Sequence, residues 1–267
     1  MQPSAESLKP RSSATEAIAE TAIVAVVDTE TTGLDAHDEP ISLGIVLYEV
    51  DLPKGGLVRE IDAYYGTRQP AAPISPGAFA VHGISAAELS GKQIDTSHVL
   101  ALLRQADYVI AHHAEFDGRM LGQLFPEIHR KRWRCSYRQI WWTDHVQVAN
   151  RKLDTICAAL GVPRPSPHNA LDDCRALAGA LFTRTGKTQR SRTFLGVALS
   201  KGDFPVAPAP QPQARRSSDT PKKPVEWALP TYVPPTNTHK RDMLIRLFVY
   251  GMLAILVGTT LGFVFTH

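Results

Sequence analysis

The sequence predicts an α/β fold, a mixed sheet with helices packed on its faces. Three strand-like runs come first, at residues 22–28, 41–50 and 57–65. The second and third are joined by Pro53-Lys54-Gly55-Gly56, whose residue types read as a hairpin turn. Beyond residue 96, amphipathic helical stretches alternate with short apolar runs. The first run is too hydrophobic to be half exposed, which makes it a central strand. The later elements are a helix over 97–104, a strand over 108–111, a helix over 115–125 and a brief strand over 134–136. Helical stretches follow at 139–148 and 153–160, with a last helix over 170–183. Residues 21–185 are enough for one domain.

Charge is unevenly placed. Residues 1–185 hold 18 basic and 22 acidic side chains, a net of −4, and residues 186–267 hold 11 and 4, a net of +7. An acidic body argues against electrostatic capture of nucleic acid by the whole domain, so any polyanion would be met locally or through bound metal. The three cysteines, Cys135, Cys157 and Cys174, lack the close spacing of a zinc or redox motif and read as buried free thiols. Residues 1–20 have no apolar core, which excludes a secretory signal and predicts a disordered leader.

Residues 186–240 contain nine of the 20 prolines and little apolar periodicity, so a disordered linker is expected there. A transmembrane helix is expected over 243–266, because residues 247–265 are nineteen positions without a charge. At 1.5 Å per residue they measure roughly 28 Å, close to the hydrocarbon thickness of a bilayer. Lys240, Arg241 and Arg246 precede this stretch, which predicts a single-pass, C-terminal anchor with the large N-terminal part in the cytoplasm. Ala254, Gly258 and Gly262 recur every four residues, a spacing that would let two such helices pair as a homodimer, although glycine is common in spanning helices anyway.

Chemistry concentrates in three acidic motifs. Asp28 and Glu30 lie one residue apart at the end of the first strand, so their side chains share a face. Two adjacent carboxylates repel, and a hard divalent cation such as Mg²⁺ or Mn²⁺ relieves the repulsion; the plain alternative is a strand that ends in an acidic turn. Asp117, in His112-His113-Ala114-Glu115-Phe116-Asp117, falls in a first helical turn, where an acid also serves the helix dipole. His168 and Asp173, in His168-Asn169-Ala170-Leu171-Asp172-Asp173, put an imidazole five residues ahead of a helical carboxylate. A solvent-facing histidine beside an N-cap pair is the alternative there.

Taken together, these motifs resemble the DEDDh branch of the 3′–5′ exonucleases, the DnaQ-like proofreading family. The intermediate element Val81-His82-Gly83-Ile84 is also present, and the resemblance covers residues 22–184. It implies a ribonuclease H-like, five-stranded mixed sheet and a two-metal hydrolysis of terminal phosphodiesters, with single-stranded DNA or RNA bearing a free 3′ end as the partner. It implies that Asp28, Glu30 and Asp173 hold one Mg²⁺ or Mn²⁺ ion. Asp28 would bridge to a second ion, held by Asp117 directly or through water, and His168 would be the general base. Thr31, Leu34, His82 and Phe116 would meet the terminal nucleotide, with ordinary packing as the alternative for Leu34 and Phe116. One departure is His113, where family members often have Asn. The run Arg130-Lys131-Arg132-Trp133-Arg134, with Tyr137 and Arg138, is either a solvated loop or a guide for a nucleic-acid strand. Two rival functions follow from the same residues: a non-catalytic nucleic-acid-binding or scaffolding protein, and a polymerase-associated proofreading subunit.

Overall fold

The computed structural model describes residues 20–52, 54–188 and 191–207. Five strands form one sheet: β1 (Thr21–Thr31), β2 (Pro40–Asp51), β3 (Leu57–Thr67), β4 (Tyr108–Ala111) and β5 (Arg132–Cys135). Their order is β3-β2-β1-β4-β5; β1–β2 and β2–β3 are antiparallel, β1–β4 and β4–β5 parallel. This is the mixed five-stranded sheet expected, with β1 at its centre. Gly55, at φ 72°, supplies the left-handed residue of the β2–β3 turn.

Side-chain parity on β1 assigns each helix its face. Ala22, Val24 and Val26 point into a core with α7 (Leu153–Leu160) and α8 (Ala170–Phe182), while Ala25 and Val27 point into a second core with α3 (Thr96–Gln105) and α4 (Ala114–Leu124). Asp28 and Glu30 continue the even parity and so turn toward α8. The register slips between Glu30 and Thr31, a bulge that ends the ladder beside the two acids.

Several elements depart from expectation. β1 runs on to Thr31, which places both acids within the strand, and β5 begins two residues early. The stretch 139–148 is not one helix. Short turns α5 (Ser136–Gln139), ending at its start, and α6 (Trp142–His145), within it, stand there instead, and Trp142 is fully buried. Helices α1 (Pro76–His82) and α2 (Ala86–Leu89) lie where sequence periodicity was too short to signal them.

The linker boundary at 186 is corrected. Within it, α9 (Phe194–Leu199) buries Phe194, Leu195 and Ala198 in the core. The Thr193 hydroxyl donates 2.8 Å to the Gly55 carbonyl and accepts from Gly196 N–H at the start of α9. Residues 200–207 then lie along β5: Phe204 N–H bonds the Trp133 carbonyl at 2.9 Å, and Asp203 pairs with Arg134 at 2.7 Å. Among the described residues the domain thus packs to at least residue 207. All nine prolines of the expected linker fall at position 205 or later, so composition averaged over 186–240 hid a short apolar run at its start.

Among the described residues no helix is long and apolar enough to cross a membrane. The expected spanning stretch 247–265, its Gly258/Gly262 pairing face, leader residues 1–19 and the linker beyond 207 lie outside the described residues.

Candidate active site

A cleft of about 520 Å³ opens where β1, α4, α7 and α8 converge. Asp28, Glu30, Asp117, Asp173 and His168 all line it, with Leu34 and Phe116 at its edge. The four carboxylates reach it from three elements. Asp28 and Glu30 come from β1, Asp117 from the first turn of α4, and Asp173 from the first turn of α8.

Each approach has a local cause. Asn169 caps α8, its side chain accepting from Leu171 and Asp172 N–H groups at 3.1 and 3.2 Å, and this fixes the turn that presents Asp173. Gly44 on β2 faces the same turn, and a methyl group there would collide with the Ala170 backbone. Asp117 accepts a hydrogen bond from the Thr29 hydroxyl at 2.9 Å. Behind it, His112 is held in one tautomer: its Nε2 donates to the Arg151 carbonyl and its Nδ1 accepts from the Ser136 hydroxyl, both at 2.9 Å. Burial and the neighbouring His113 hold this imidazole down near 4, so it stays neutral.

His168 stands at φ 66°, the left-handed region, and is the non-glycine residue so placed among the described residues. Strained backbone of this kind concentrates at functional sites. Its backbone N–H donates to Asp173 at 3.1 Å, and its ring Nδ1 lies 4.0 Å from Glu30, with 39% of the side chain exposed.

The acids are electrostatically frustrated. Burial, then repulsion from Asp117 and Asp173, raises Asp28 well above the ordinary carboxylate range. The same forces push Glu30 up to about 8. Burial lifts Asp117 to about 7, against the pull of the Thr29 hydrogen bonds. Ligand atoms of Glu30, His168 and Asp173 lie within 4.8 Å of one another. A divalent cation fits the carboxylates of Glu30 and Asp173 with Asp28 beside them, because hard oxygen ligands that repel one another are what such an ion neutralises.

The residues offered for the terminal nucleotide divide between two hollows. Leu34 and Phe116 line the acidic cleft. Thr31, His82, Leu34 and Glu30 line an adjoining one of about 220 Å³, floored by α1. Thr31 is buried and its hydroxyl donates to the Gly33 carbonyl at 2.6 Å, so that side chain is already engaged. His82 accepts at Nδ1 from Ile84 N–H and donates through Nε2 to the Thr31 carbonyl at 3.2 Å.

Two side chains escaped sequence reasoning. Arg164 grips Asp173 through two bonds of 2.6 Å and also pairs with Asp154, so it is the counter-charge of the acidic group. Arg119 donates to the carbonyls of Asp35 and Leu34, which pins the loop where Leu34 stands 80% exposed. Neither belongs to a motif, and only the folded loops bring them to these partners.

Comparison with known proteins gives a consistent assignment. The RNase_T family model, described as an exonuclease, matches residues 25–181. Exodeoxyribonuclease 10 of Escherichia coli K12 is 29% identical over 165 residues, spanning 59% of this chain and 66% of that protein. The PolC-type DNA polymerase III of Thermotoga maritima is 28% identical over 158 residues, 57% of this chain and 11% of the polymerase. The chain therefore spans slightly under two thirds of the first relative and a small part of the second. Among solved structures, an exonuclease I shares the fold at TM-score 0.50 and 16% identity, covering 66% of this chain and 42% of that one. An exonuclease X in complex with 5′ overhanging duplex DNA aligns at TM-score 0.47 and 22% identity, covering 65% and 99%. The chain belongs to the RNase_T exonuclease family, in its DEDDh, DnaQ-like branch.

Proposed function

We propose that this protein is a membrane-anchored 3′–5′ exonuclease that releases nucleoside 5′-monophosphates from DNA or RNA ends with the help of Mg²⁺ or Mn²⁺. The observation that carries the reading is the convergence of Asp28, Glu30, Asp117 and Asp173 on one cleft beside His168. Asp28, Glu30 and Asp173 would hold one ion, and Asp28 with Asp117 a second. Ions held there would lower the pKa of an attacking water and offset charge on the departing 3′ oxygen.

The chain's own groups do the rest. His168, partly exposed at the cleft, takes the proton of the attacking water. Arg164 keeps Asp173 aimed inward through its paired bonds. Leu34, on its pinned loop, abuts the last base, and His82 and Phe116 bound the space for that nucleotide. DNA as a substrate is supported by the name of the relative exodeoxyribonuclease 10. A non-catalytic role is disfavoured because all five chemical groups are retained.

The test uses the full chain in detergent with single-stranded DNA or RNA labelled at the 3′ end. The expected result is early release of labelled mononucleotide, arrest by EDTA, and a loss of ~10²–10⁴-fold in His168→Ala. Full activity in EDTA, or label appearing first in internal fragments, overturns the reading.

The anchor is a separate part of the proposal and rests on residues 247–265. The full chain should remain with membranes after carbonate washing, whereas residues 1–240 should be released. Retention of the shortened chain would refute it.

A further inference from the structure

Beside the acidic cleft lies a second hollow of about 430 Å³, lined by His113, Glu115, Phe116, Arg119, Tyr137 and Arg138 among others. It shares His113 and Phe116 with the cleft, so the two form one continuous path. The aromatic groups here are stacked and already bear cations. His113 lies over Tyr137 with centroids 4.5 Å apart and planes 33° apart. The Arg151 guanidinium sits 4.3 Å from the same ring, that of Arg138 at 5.9 Å, and Arg119 5.3 Å from Phe116. Arg151 also donates to the Tyr137 carbonyl at 3.0 Å, which fixes the platform. Two arginines, Arg119 and Arg138, line the hollow with one acid, Glu115.

Three cations of the basic run noted in the sequence are spent on the fold, and Arg130 is exposed outside the hollow's lining. Arg134 is buried against Asp203, Arg132 pairs with Asp203 and the Tyr108 hydroxyl, and Lys131 donates to the Ala106 carbonyl. Only its sequel, Tyr137 and Arg138, reaches the hollow. Arg138 is exposed and free to contact a ligand.

We propose that this His113–Tyr137–Arg138 hollow is a subsite for single-stranded nucleic acid, holding the nucleotides upstream of the two that the phosphodiester in the acidic cleft joins. The inference rests on the exonuclease reading of that cleft. An aromatic platform edged by guanidinium groups suits bases and phosphates without regard to sequence. The chain's own residues from 208 onward are the competing occupant, but their first charges, Arg215 and Arg216, have the same sign as the hollow.

The test measures binding of 5′-fluorescein dT2 and dT10 to the full chain in detergent, in EDTA, over a range of salt. Arg138→Glu should weaken dT10 binding about tenfold and leave dT2 within about twofold. The salt slope for dT10 should fall by about 0.7, the share of one phosphate contact on a single strand. Tyr137→Leu, which keeps apolar bulk, should also weaken dT10 selectively. Equal affinity of Arg138→Glu and the parent for dT10, or equal losses on both lengths, overturns the subsite. Cleavage of dT2 by the parent with Mn²⁺ is scored separately. If it proceeds while Arg138→Glu binds dT10 normally, the subsite fails and the active-site reading stands. If the parent cleaves neither oligonucleotide, the active-site reading fails.

Discussion

Asp28→Asn and Asp173→Asn are each expected to lower phosphodiester hydrolysis by about 10³-fold or more, and to shift stability in opposite directions. The activity loss follows from removing one anionic ligand where a cation must be held, a change of several kcal/mol at the transition state. The stability contrast follows from the partners. Asp28 is crowded by Asp117, Asp173 and Glu30, and burial raises it further, so a neutral amide relieves repulsion and should raise the melting temperature of the metal-free protein. Asp173 instead accepts both arms of a mostly buried Arg164. Neutralising it leaves that guanidinium with the exposed Asp154 as its remaining ionic partner, at a cost on the order of 2–3 kcal/mol. Nuclease assays and thermal melts in EDTA check both halves. Retention of a tenth of parental activity in Asp28→Asn, or a lowered melting temperature in that variant, would show that the acids do not form one repulsive group.

Metal-free protein should lose stability as pH rises from about 6.5 to 8.5, and Mg²⁺ or Mn²⁺ should restore it. Glu30 keeps its proton to about 8 in the fold against an ordinary 4.5, and Asp117 to about 7 against 3.8. Through this window the folded state holds more protons than the unfolded chain, so unfolding becomes easier as pH increases. The contribution is complete below the unfolded values and is gone above the folded ones. A shift the size of that at Glu30 is worth up to about 5 kcal/mol, and because the three acids share one field their contributions do not simply add. A fall of about 5–10 °C in melting temperature between pH 6.5 and 8.5 is the expected scale. Burial would raise Glu39, but its bonds to Arg68, Ala71 and Ala72 lower it, so its contribution is complete above 4.5 and is lost as pH falls below that value. His112, held near 4, and His82, His113 and His129, lowered by burial, add stability only up to about 6.5, so all of these groups act outside the window. Melts in EDTA and in millimolar Mn²⁺ across that range decide the matter. A flat or rising metal-free curve would contradict it, and Glu30→Gln should flatten the slope.

Legibility in the sequence followed the range of the interactions. The parity of β1, the hairpin and the long helices α3, α4 and α8 were readable, because each depends on residues a few positions apart. So was the gathering of Asp28, Glu30, Asp117, His168 and Asp173, whose spacing matched a family pattern. Arg164, Arg119 and Gly44 were not, since each acts across the fold on a loop, a carbonyl or a neighbouring backbone that no local pattern announces. Helix α9 was lost for a different reason: six residues are too few for periodicity, and the prolines that follow dominate the composition. His82 was noted for its motif, yet the helix that delivers it was not, for the same want of length.

Because alternate positions of β1 serve hydrophobic packing and then, without interruption, catalysis, phase is shared between folding and chemistry. Deleting or inserting one residue between 21 and 27 would send the valines into the opposite layer and, in the same stroke, put Thr29 in place of the two acids at the catalytic face. Evolution can therefore lengthen the loops around this strand freely, but drift within it is confined to substitutions.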